Sequence, residues 1–452
     1  MNTGVFMDSP GERPPAEGGE AYRALVERLY ALSRFGVKMG LERIEALLCD
    51  LGSPERAFRA VHVAGSNGKG STSAFLASIW ADAGHRVGLY TSPHLISLTE
   101  RVQVLAGPGR SGEPVRPERL VEAVAAVEAV RPGLVDTAGE PLGLTFFEVI
   151  TAAGLWALAR EGVDVAVIEA GLGARLDATR AVEAEVAVLT DLSLVHTAIL
   201  GDTIEEIAAD EGAVVRPGRP LVAADGPAGA MRVVEALARA VDAPLFRIGR
   251  ELFAEPVGPQ RYRLHLSDRV LEDAQLSLRG PHQGRNALLA AEAAVLAEPE
   301  LPDHVLRSGL ARAQWPGRME ILERGGVRYL LDGAQNPHAA RALARALQDE
   351  PFVGPRHFVF GALGDKDAAA MLEALTPLAA SVTVTRPASP RARDPRDVAR
   401  GVDRRGGIPV EAVDAIPDAL ARAAERALGD GGWVVVCGSL YLVGDARALL
   451  IA

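Results

Sequence analysis

Two kinds of hydrophobic pattern alternate along most of the chain. Apolar residues recur at helical spacing in Ala21–Phe35 and Leu41–Leu51, and Gly52-Ser53-Pro54 marks the end of the second helix. Short β-branched runs then alternate with stretches of helical length that are rich in Ala and Leu. The predicted strands are Ala60–Ala64, Val87–Tyr90, Val163–Ile168 and Val186–Thr190, and the predicted helices are Ser71–Ala83, Glu118–Val130 and Phe147–Ala159. This alternation predicts a parallel sheet covered by helices.

The pattern changes twice in the second half of the chain. Polar and apolar residues alternate between Arg250 and Arg279, which predicts a small antiparallel element, and a helix from about His282 to Leu296 follows. The segment Glu298–Asp303 is predicted to be a linker, and a second α/β alternation begins near Met319. Its predicted strands are Met319–Leu322, Arg328–Leu331, His357–Phe360, Val382–Thr385 and Trp433–Cys437, and its predicted helices are Ala339–Leu347, Ala368–Leu375 and Asp418–Leu428.

These patterns predict three parts in the chain. Residues 1–20 form a flexible N-terminus, and two α/β domains occupy residues 21–300 and 301–452. Ligands commonly bind in a cleft between two such domains. We therefore expect the site to lie between them.

Composition excludes several classes of protein. The 452 residues are 48% hydrophobic and 24% charged, which is enough for substantial cores and excludes disorder over the whole chain. No apolar run approaches the ~18 residues of a membrane span, and the first twenty residues lack the basic and apolar parts of a secretion signal. A net charge of −11 argues against binding to nucleic acid, and two cysteines form neither a disulfide framework nor a zinc pattern. We expect a cytoplasmic protein that binds neither membrane nor nucleic acid.

Lysine is scarce, and one of the few lysines lies in a glycine loop. The 48 cationic residues include only three lysines, at 38, 69 and 366. Lys69 belongs to Gly65-Ser66-Asn67-Gly68-Lys69-Gly70-Ser71-Thr72, between a predicted strand and a predicted helix. Glycines let backbone N–H groups turn inward, the helix N-terminus adds positive potential, and a lysine can reach the β and γ phosphates. The loop is shorter than the standard G-x-x-x-x-G-K-[ST] motif, but it predicts a nucleotide phosphate site.

Other candidate residues are ambiguous when each is taken alone. Glu169 follows the apolar run Val163–Ile168, and a carboxylate at the carboxyl end of a buried strand faces the ligand crevice of an α/β sheet. The alternative is a solvated loop acid. A single histidine such as His196 is more often structural than a ligand, and an aromatic pair such as Phe146 and Phe147 at the start of a helix usually belongs to the core.

Further short motifs follow in order between about Phe35 and Arg447. They are Tyr90–Leu95, Glu100–Val102, Thr145–Glu148, Glu169–Thr179, His196–Thr197, Leu200–Thr203, Trp315–Arg318, Asp332–His338, Gly364–Asp367, Ser389–Ala392 and Gly438–Gly444. In this series the chain resembles the folylpolyglutamate synthase and dihydrofolate synthase family, relatives of the Mur ligases. The resemblance implies a Mur-ligase-like α/β fold, in which a P-loop ATPase domain with a mostly parallel sheet is joined to a smaller, Rossmann-like C-terminal α/β domain.

The resemblance also implies an activity. Enzymes of this family use ATP and Mg²⁺ to join L-glutamate to dihydropteroate or to a folate. The acceptor carboxylate attacks the γ-phosphate, and the glutamate amine then displaces phosphate from the acyl phosphate. The usual state of the family is a monomer.

Matching motifs carry the family's site residues to this chain. Nucleotide binding is implied for Asn67, Gly68, Lys69, Gly70, Ser71, Asn286, Arg318 and Asp332. Magnesium binding is implied for Ser92, Glu169 and His196. The pterin-bearing substrate is implied to contact Thr145, Phe146, Phe147, Glu148, Arg175, Leu176 and Asp177, with one of the two phenylalanines stacking on the flat ring. Catalytic roles are implied for Lys69, Glu169 and His196.

Four positions depart from the family pattern. Glu211 stands where the family usually has a carbamylated lysine that binds a second metal, and our hypothesis is that the Glu211 carboxylate ligates this second magnesium and shares in catalysis. Val195 replaces an acid, Gln335 a histidine and Arg180 an asparagine. These changes leave two alternatives open: a relative that joins another carboxylate and amine, and a nucleotide-binding protein that has lost catalysis.

Overall fold

The computed structural model describes residues 19–32, 40–134, 143–349, 354–403 and 407–452. The predicted flexible N-terminus, apart from its last two residues, and Lys38 lie outside the described residues. The chain forms two compact units. The first contains the described residues up to Ser277 together with Gly284–Gln314, and the second contains Leu278–Gln283 and Trp315–Ala452.

Helices and strands of the first unit follow the predicted alternation. Its helices are α1 (Glu20–Leu32), α2 (Glu42–Asp50), α3 (Lys69–Asp82), α4 (Pro117–Val130), α5 (Phe146–Arg160), α6 (Thr197–Leu200), α7 (Ile204–Glu211), α8 (Ala228–Ala240), α9 (Gln283–Ala297) and α10 (Asp303–Arg312). Its strands are β1 (Arg59–Ala64), β2 (Arg86–Tyr90), β3 (Val102–Ala106), β4 (Glu113–Pro114), β5 (Val165–Glu169), β6 (Val186–Leu189), β7 (Leu221–Ala223), β8 (Leu245–Arg247), β9 (Phe253–Gly258), β10 (Arg261–His265) and β11 (Val270–Gln275).

A large, mostly parallel sheet positions the glycine loop. Its strand order is β4-β3-β2-β5-β1-β6-β7-β8, in which the β2–β3 and β3–β4 pairs are antiparallel and the other pairs are parallel. Strand β1 lies between β5 and β6, so that Val63 is opposite Glu169 on one side and Val188 on the other. The carboxyl ends of these strands therefore meet at one edge of the sheet, as predicted.

Two apolar clusters pack on the face of this sheet that carries Ala60 and Ala64. Residues of α1, α2, α4 and α5 form one cluster, and residues of α7 and α8 form another. Strands β9, β10 and β11 form a separate three-stranded antiparallel sheet, which confirms the element predicted between Arg250 and Arg279. No described helix has both the length and the apolar character needed to span a membrane.

The predicted linker lies inside the first unit. Residues Glu298–Asp303 join α9 to α10, and α10 packs on α3, where Ser78 Oγ donates a hydrogen bond of 2.8 Å to Gly309 O. The compact units divide at Gln314 and Trp315 instead of the predicted 300–301. The difference arises because α10 buries its apolar residues against α3 of the first unit.

The second unit is a smaller α/β layer structure. Its helices are α11 (Pro337–Asp349), α12 (Ala368–Leu375), α13 (Pro395–Asp403), α14 (Ile416–Asp430) and α15 (Leu440–Ile451), and its strands are β12 (Glu320–Arg324), β13 (Val327–Leu331), β14 (Arg356–Phe360), β15 (Ser381–Val384), β16 (Val410–Ala412) and β17 (Trp433–Cys437). The strand order is β12-β13-β17-β14-β15-β16, and only the β12–β13 pair is antiparallel among these strands. The predicted parallel α/β domain is confirmed.

Candidate active site

The glycine loop connects β1 to α3 at the carboxyl edge of the large sheet. Gly65 has φ +125° and Gly68 has φ +93°, conformations that glycine adopts without a Cβ penalty. The backbone N–H groups of Ser66 and Asn67 donate to Asp191 O at 2.9 and 3.2 Å, so Asp191, just beyond β6, supports the loop. The amides of a helix's first turn have no partner within the helix and can bind phosphate. In this chain that turn begins at Lys69.

Side chains around the loop keep it in place. Lys69 Nζ donates to Gly65 O at 2.6 Å, within its own loop. Asn67 Nδ2 donates to Ser193 Oγ at 2.8 Å. A Cβ on Gly68 would lie 2.6 Å from Asn286 Oδ1, so the side chain of Asn286, on α9, lies beside the loop. The structure therefore places Asn286 beside the loop that carries Asn67 and Lys69.

Glu211 contacts the glycine loop at Gly65. It ends α7, its side chain is buried, and its Oε2 accepts a hydrogen bond of 2.9 Å from Gly65 N. Burial raises the pKa of Glu211, while the nearby Lys69 ammonium and the Gly65 N–H oppose the rise. The carboxylate is therefore part of the support of the phosphate loop.

Glu169 is a buried strand-end carboxylate and not a solvated loop acid. It is 4% exposed and ends β5, and its Oε2 accepts from Ser92 N at 3.1 Å. His196 instead lies at the surface just before α6, with φ +54°. Within the described ranges, no group of three or more His, Cys, Asp or Glu side chains could hold a metal ion. The structure thus does not gather Glu169, His196 and Glu211, because the two carboxylates bind amides of different loops and the histidine is exposed.

The segment Thr145–Glu148 has a structural role at the start of α5. Thr145 N and Oγ1 donate to Glu148 Oε2 at 2.7 and 2.8 Å, and Arg43 Nε donates to Glu148 Oε1 at 2.7 Å. The Thr145–Glu148 pair is a capping box, which satisfies the first amides of the helix. The bonds of Glu148 are thus made to the helix start and to Arg43.

The two phenylalanines that follow Thr145 face different surroundings. Phe146 is 4% exposed and belongs to the core, with its ring centroid 5.7 Å from that of Tyr30. Phe147 is half-buried, and a Cβ on Gly171 would collide with the end of its ring. Phe147 is therefore the aromatic residue that borders the loop after β5.

That loop, residues 171–177, is held by two buried acids. Asp177 Oδ2 accepts from the backbone N–H groups of Gly171 and Leu172 at 3.1 and 3.0 Å. Burial raises the pKa of Asp177, while its hydrogen bond from Thr179 and those from backbone amides oppose the rise. The side chain of Arg175 is 62% exposed, and its Nε donates to Asp210 Oδ2 at 3.2 Å. Of the three predicted substrate residues here, Asp177 shapes the loop, Leu176 is half-buried and Arg175 reaches solvent.

Arg318 and Asp332 lie together in the second unit. Asp332 follows β13 and accepts hydrogen bonds of 3.0 Å from Met319 N and from Ala334 N. Burial raises the pKa of Asp332, and the charge of Arg318 opposes the rise. A Cβ on Gly333 would collide with Arg318 Nη1, so the guanidinium lies against this backbone. Gln335 is half-buried in the following turn.

Three residues of the first unit's site escaped the sequence analysis. Asp191 and Ser193 support the glycine loop, and Asp210 supports residues 173–175. Asp191 follows β6 as Glu169 ends β5, so the rule that singled out Glu169 would also have found it. Asp210 carries no such signal, because its role depends on which loop packs against the end of α7.

Comparison with known proteins agrees with this geometry. Residues 317–440 match the Mur ligase, glutamate ligase domain family. The dihydrofolate synthase/folylpolyglutamate synthase of Bacillus subtilis is 34% identical over 441 residues, covering 95% of this chain and 99% of that protein. A probable bifunctional folylpolyglutamate synthase/dihydropteroate synthase of Haloferax volcanii is 39% identical over 434 residues, and the match covers 94% of this chain but only 50% of that relative.

A solved structure has the same fold over nearly the whole chain. The Mycobacterium tuberculosis folylpolyglutamate synthase, complexed with ADP and AMPPCP, superposes with a TM-score of 0.86 at 32% identity and covers 95% of this chain and 99% of its own. This likeness confirms the expected fold, in which a nucleotide-binding domain with a phosphate loop is followed by the glutamate ligase domain. The chain belongs to the dihydrofolate synthase/folylpolyglutamate synthase family.

Proposed function

We propose that this protein is an ATP-dependent ligase that joins L-glutamate to dihydropteroate, to folates or to both, through an acyl phosphate. One observation carries the proposal: three features lie at the carboxyl ends of the neighbouring strands β1 and β5. The phosphate loop follows β1, Glu169 ends β5, and the loop bordered by Phe147 follows β5. The names of the relatives in Bacillus subtilis and Mycobacterium tuberculosis support the same reaction.

Phosphate binding is proposed for residues Asn67–Ser71. Lys69 Nζ donates a hydrogen bond to Gly65 O. A γ-phosphate can take the place of this neutral carbonyl as the acceptor, and its charge gives a stronger hydrogen bond. The dipole of α3 adds positive potential at the same point. These groups stabilise the charge that moves during phosphoryl transfer, which is the main task of such a site.

Mg²⁺ binding is proposed at the carboxyl edge of β5. Magnesium prefers oxygen ligands and is usually held by one or two carboxylates together with substrate phosphates, instead of a cage of protein groups. Glu169 and Ser92 supply a carboxylate and a hydroxyl there, so this donor set fits the ion. The bound ion would neutralise charge on the phosphates. The assignments of His196 and of Glu211 as further ligands rest on the resemblance.

The acceptor is proposed to lie against Phe147 and residues 171–177. The half-buried ring of Phe147 offers a flat apolar surface for a pterin, and aromatic stacking of this kind adds about 0.5–1.5 kcal/mol beyond the burial of area. Arg175 carries an exposed cation that can attract the acceptor carboxylate. A carboxylate held there can attack a phosphoryl group with less loss of freedom than in solution.

In the second unit, Arg318 is proposed to contribute positive charge to nucleotide binding, and Asp332 is proposed to hold the Arg318 side chain in place. The buried Asp332 is close enough to Arg318 for its charge to affect the carboxyl's pKa, which supports this pairing. We also propose a monomer in the cytoplasm, with L-glutamate as the amine substrate.

A single assay tests the function against both alternatives. Phosphate release from ATP is measured with dihydropteroate or a folate together with glutamate, with each one omitted, with other acids and amines in their place, and in the Lys69→Ala variant. We expect release and an amide product only with the complete mixture and the wild-type chain. Release that depends on a different acid and amine would favour a relative with another substrate. Nucleotide binding without release under any of these mixtures would favour a protein that has lost catalysis.

A further inference from the structure

Two adjacent acids end α7, and each binds a different loop of the site. Asp210 Oδ1 accepts from the backbone N–H groups of Ala174 and Arg175 at 3.1 and 3.4 Å, and its Oδ2 accepts from Arg175 Nε at 3.2 Å. Glu211 Oε2 accepts from Gly65 N at 2.9 Å. Neighbouring residues on a helix point in different directions. The end of α7 therefore reaches both loops at once.

Neither loop can move far without disturbing these bonds. Gly173 has φ +64°, and a Cβ there would collide with Asp210 Oδ1. Gly65 has φ +125°, and a Cβ there would collide with Thr190 Oγ1 and lie 3.0 Å from its backbone N. Both acids are themselves buried, at 6% and 3% exposure. Hydrogen bonds from amides to a carboxylate are stronger than those between neutral groups.

Helix α7 is a firm connection between the loops. Its residues Ile207 and Ala208 are fully buried in the core cluster that also contains residues of α8. Its first turn is closed by a capping box between Thr203 and Glu206. Because the core resists deformation, a shift of one of the two acids at the end of α7 is transmitted to its neighbour.

We propose that Asp210 is a positioning residue which, with Glu211, couples phosphate binding at the Gly65–Lys69 loop to the conformation of residues 171–177. This inference rests on the proposed function, in which residues 171–177 contact the acceptor. A bound nucleotide phosphate replaces Gly65 O as the hydrogen-bond acceptor of Lys69 Nζ. This changes the hydrogen bonds of Gly65, whose N–H donates to Glu211. Such coupling is reciprocal, so the acceptor and the nucleotide tighten each other's binding by the same factor.

Calorimetric titration measures this factor directly. The Kd of a non-hydrolysable ATP analogue is determined with and without saturating dihydropteroate. For the wild type we expect at least a fivefold tightening, at the lower end of typical coupling energies. In Asp210→Asn we expect less than twofold tightening, with the Kd of the analogue alone within about threefold of the wild-type value.

A matched control separates coupling from helix stability. Glu206→Gln makes a similar acid-to-amide change at the other end of α7, where Glu206 Oε2 accepts from Asp202 N and Thr203 N at 2.8 and 3.0 Å. This residue is exposed, and these hydrogen bonds lie at the start of α7. The control is expected to keep the wild-type coupling factor. Equal loss of coupling in both variants would overturn the assignment of Asp210.

Hydrogen exchange provides a second measurement that needs only the nucleotide. In the wild type, the analogue is expected to slow amide exchange in residues 171–177 at least fivefold as well as in the phosphate loop. In Asp210→Asn, protection should persist in the phosphate loop and be lost in residues 171–177. Arg175→Ala removes the exposed partner of Asp210 and leaves the buried acid. In this milder variant, protection of residues 171–177 from exchange should be lost only in part.

The outcomes separate this inference from the proposed function. Retention of the wild-type exchange response and coupling factor in Asp210→Asn would overturn the inference alone. A wild type that binds nucleotide but not dihydropteroate would overturn the proposed acceptor, and the exchange response of residues 171–177 to nucleotide would still decide the coupling.

Discussion

Replacing Gly68 by alanine perturbs the phosphate loop immediately before α3. Gly68 has φ +93°, and a Cβ there would lie 2.6 Å from Asn286 Oδ1. A non-glycine residue in such a backbone region costs about 1–3 kcal/mol. The loop can relieve this strain by leaving the conformation seen here, and nucleotide binding must then restore it. We expect the Kd for an ATP analogue to rise about 5- to 150-fold, which corresponds to that range of free energy.

Gly84→Ala is a matched control for the strain. Gly84 follows α3 with φ +97°, close to the value at Gly68, but no atom lies within 4 Å of the position of its Cβ. Gly84→Ala should lower the free energy of unfolding by about 1–3 kcal/mol, measured by denaturant titration, and Gly68→Ala should lower it by less because its loop can relax. Only Gly68→Ala should lose nucleotide affinity, measured by calorimetry. A Gly68→Ala variant that binds the analogue as tightly as wild type would refute the role of this loop conformation.

Three further predictions address the acceptor site, acid stability and the α5 cap. Phe147→Ala should raise the KM for dihydropteroate more than tenfold with little effect on stability. Phe146→Ala should instead lower the free energy of unfolding by about 3–5 kcal/mol, because only Phe146 is fully in the core. Equal effects of the two variants on the KM would contradict the assignment of Phe147 to the acceptor site. Burial, with the nearby Arg180 charge, lowers the pKa of His62 from 6.5 to about 3, so stability present above pH 6.5 is lost as the pH falls towards 3. Between pH 7 and 4.5 this loss amounts to about 2–3 kcal/mol, and His62→Asn should lose correspondingly less free energy of unfolding in denaturant titrations at the two pH values. Glu148→Ala should lower the melting temperature by several degrees, because it removes the capping box and the partner of Arg43, and unchanged melting would argue against the structural role of Glu148.

Local sequence signals were sufficient for most elements of the fold. Strand β17 and helix α12 have the predicted bounds, and the other predicted strands differ by one or two residues at their ends. Strands β3, β4, β7, β8 and β16 were not predicted. All of these except β3 have only two or three residues, too few for an alternating pattern to be recognised. Helices α6, α7, α8, α10, α13 and α15 were also missed, and the omission of α10 misplaced the end of the first unit.

Site residues were predictable where the chemistry follows from local position. Lys69 lies in a glycine loop between a strand and a helix, and Glu169 ends a buried strand, so each could be singled out from its neighbours in the chain. The opposite roles of Phe146 and Phe147 could not be separated in this way. Adjacent residues at a helix start face different surroundings, and only packing against Tyr30 on one side and Gly171 on the other distinguishes them.

The sequence by itself determined the family, the alternation of strands and helices in both domains and the phosphate loop, because these depend on local patterns and on motifs in a fixed order. Tertiary structure decided which acids support which loops. Asp210 and Glu211 are neighbours in sequence, yet one holds residues 174 and 175 and the other holds Gly65, 146 positions away. Contacts between distant segments are set by how the sheet brings strand ends together and by what the core leaves room for, and no local pattern records them.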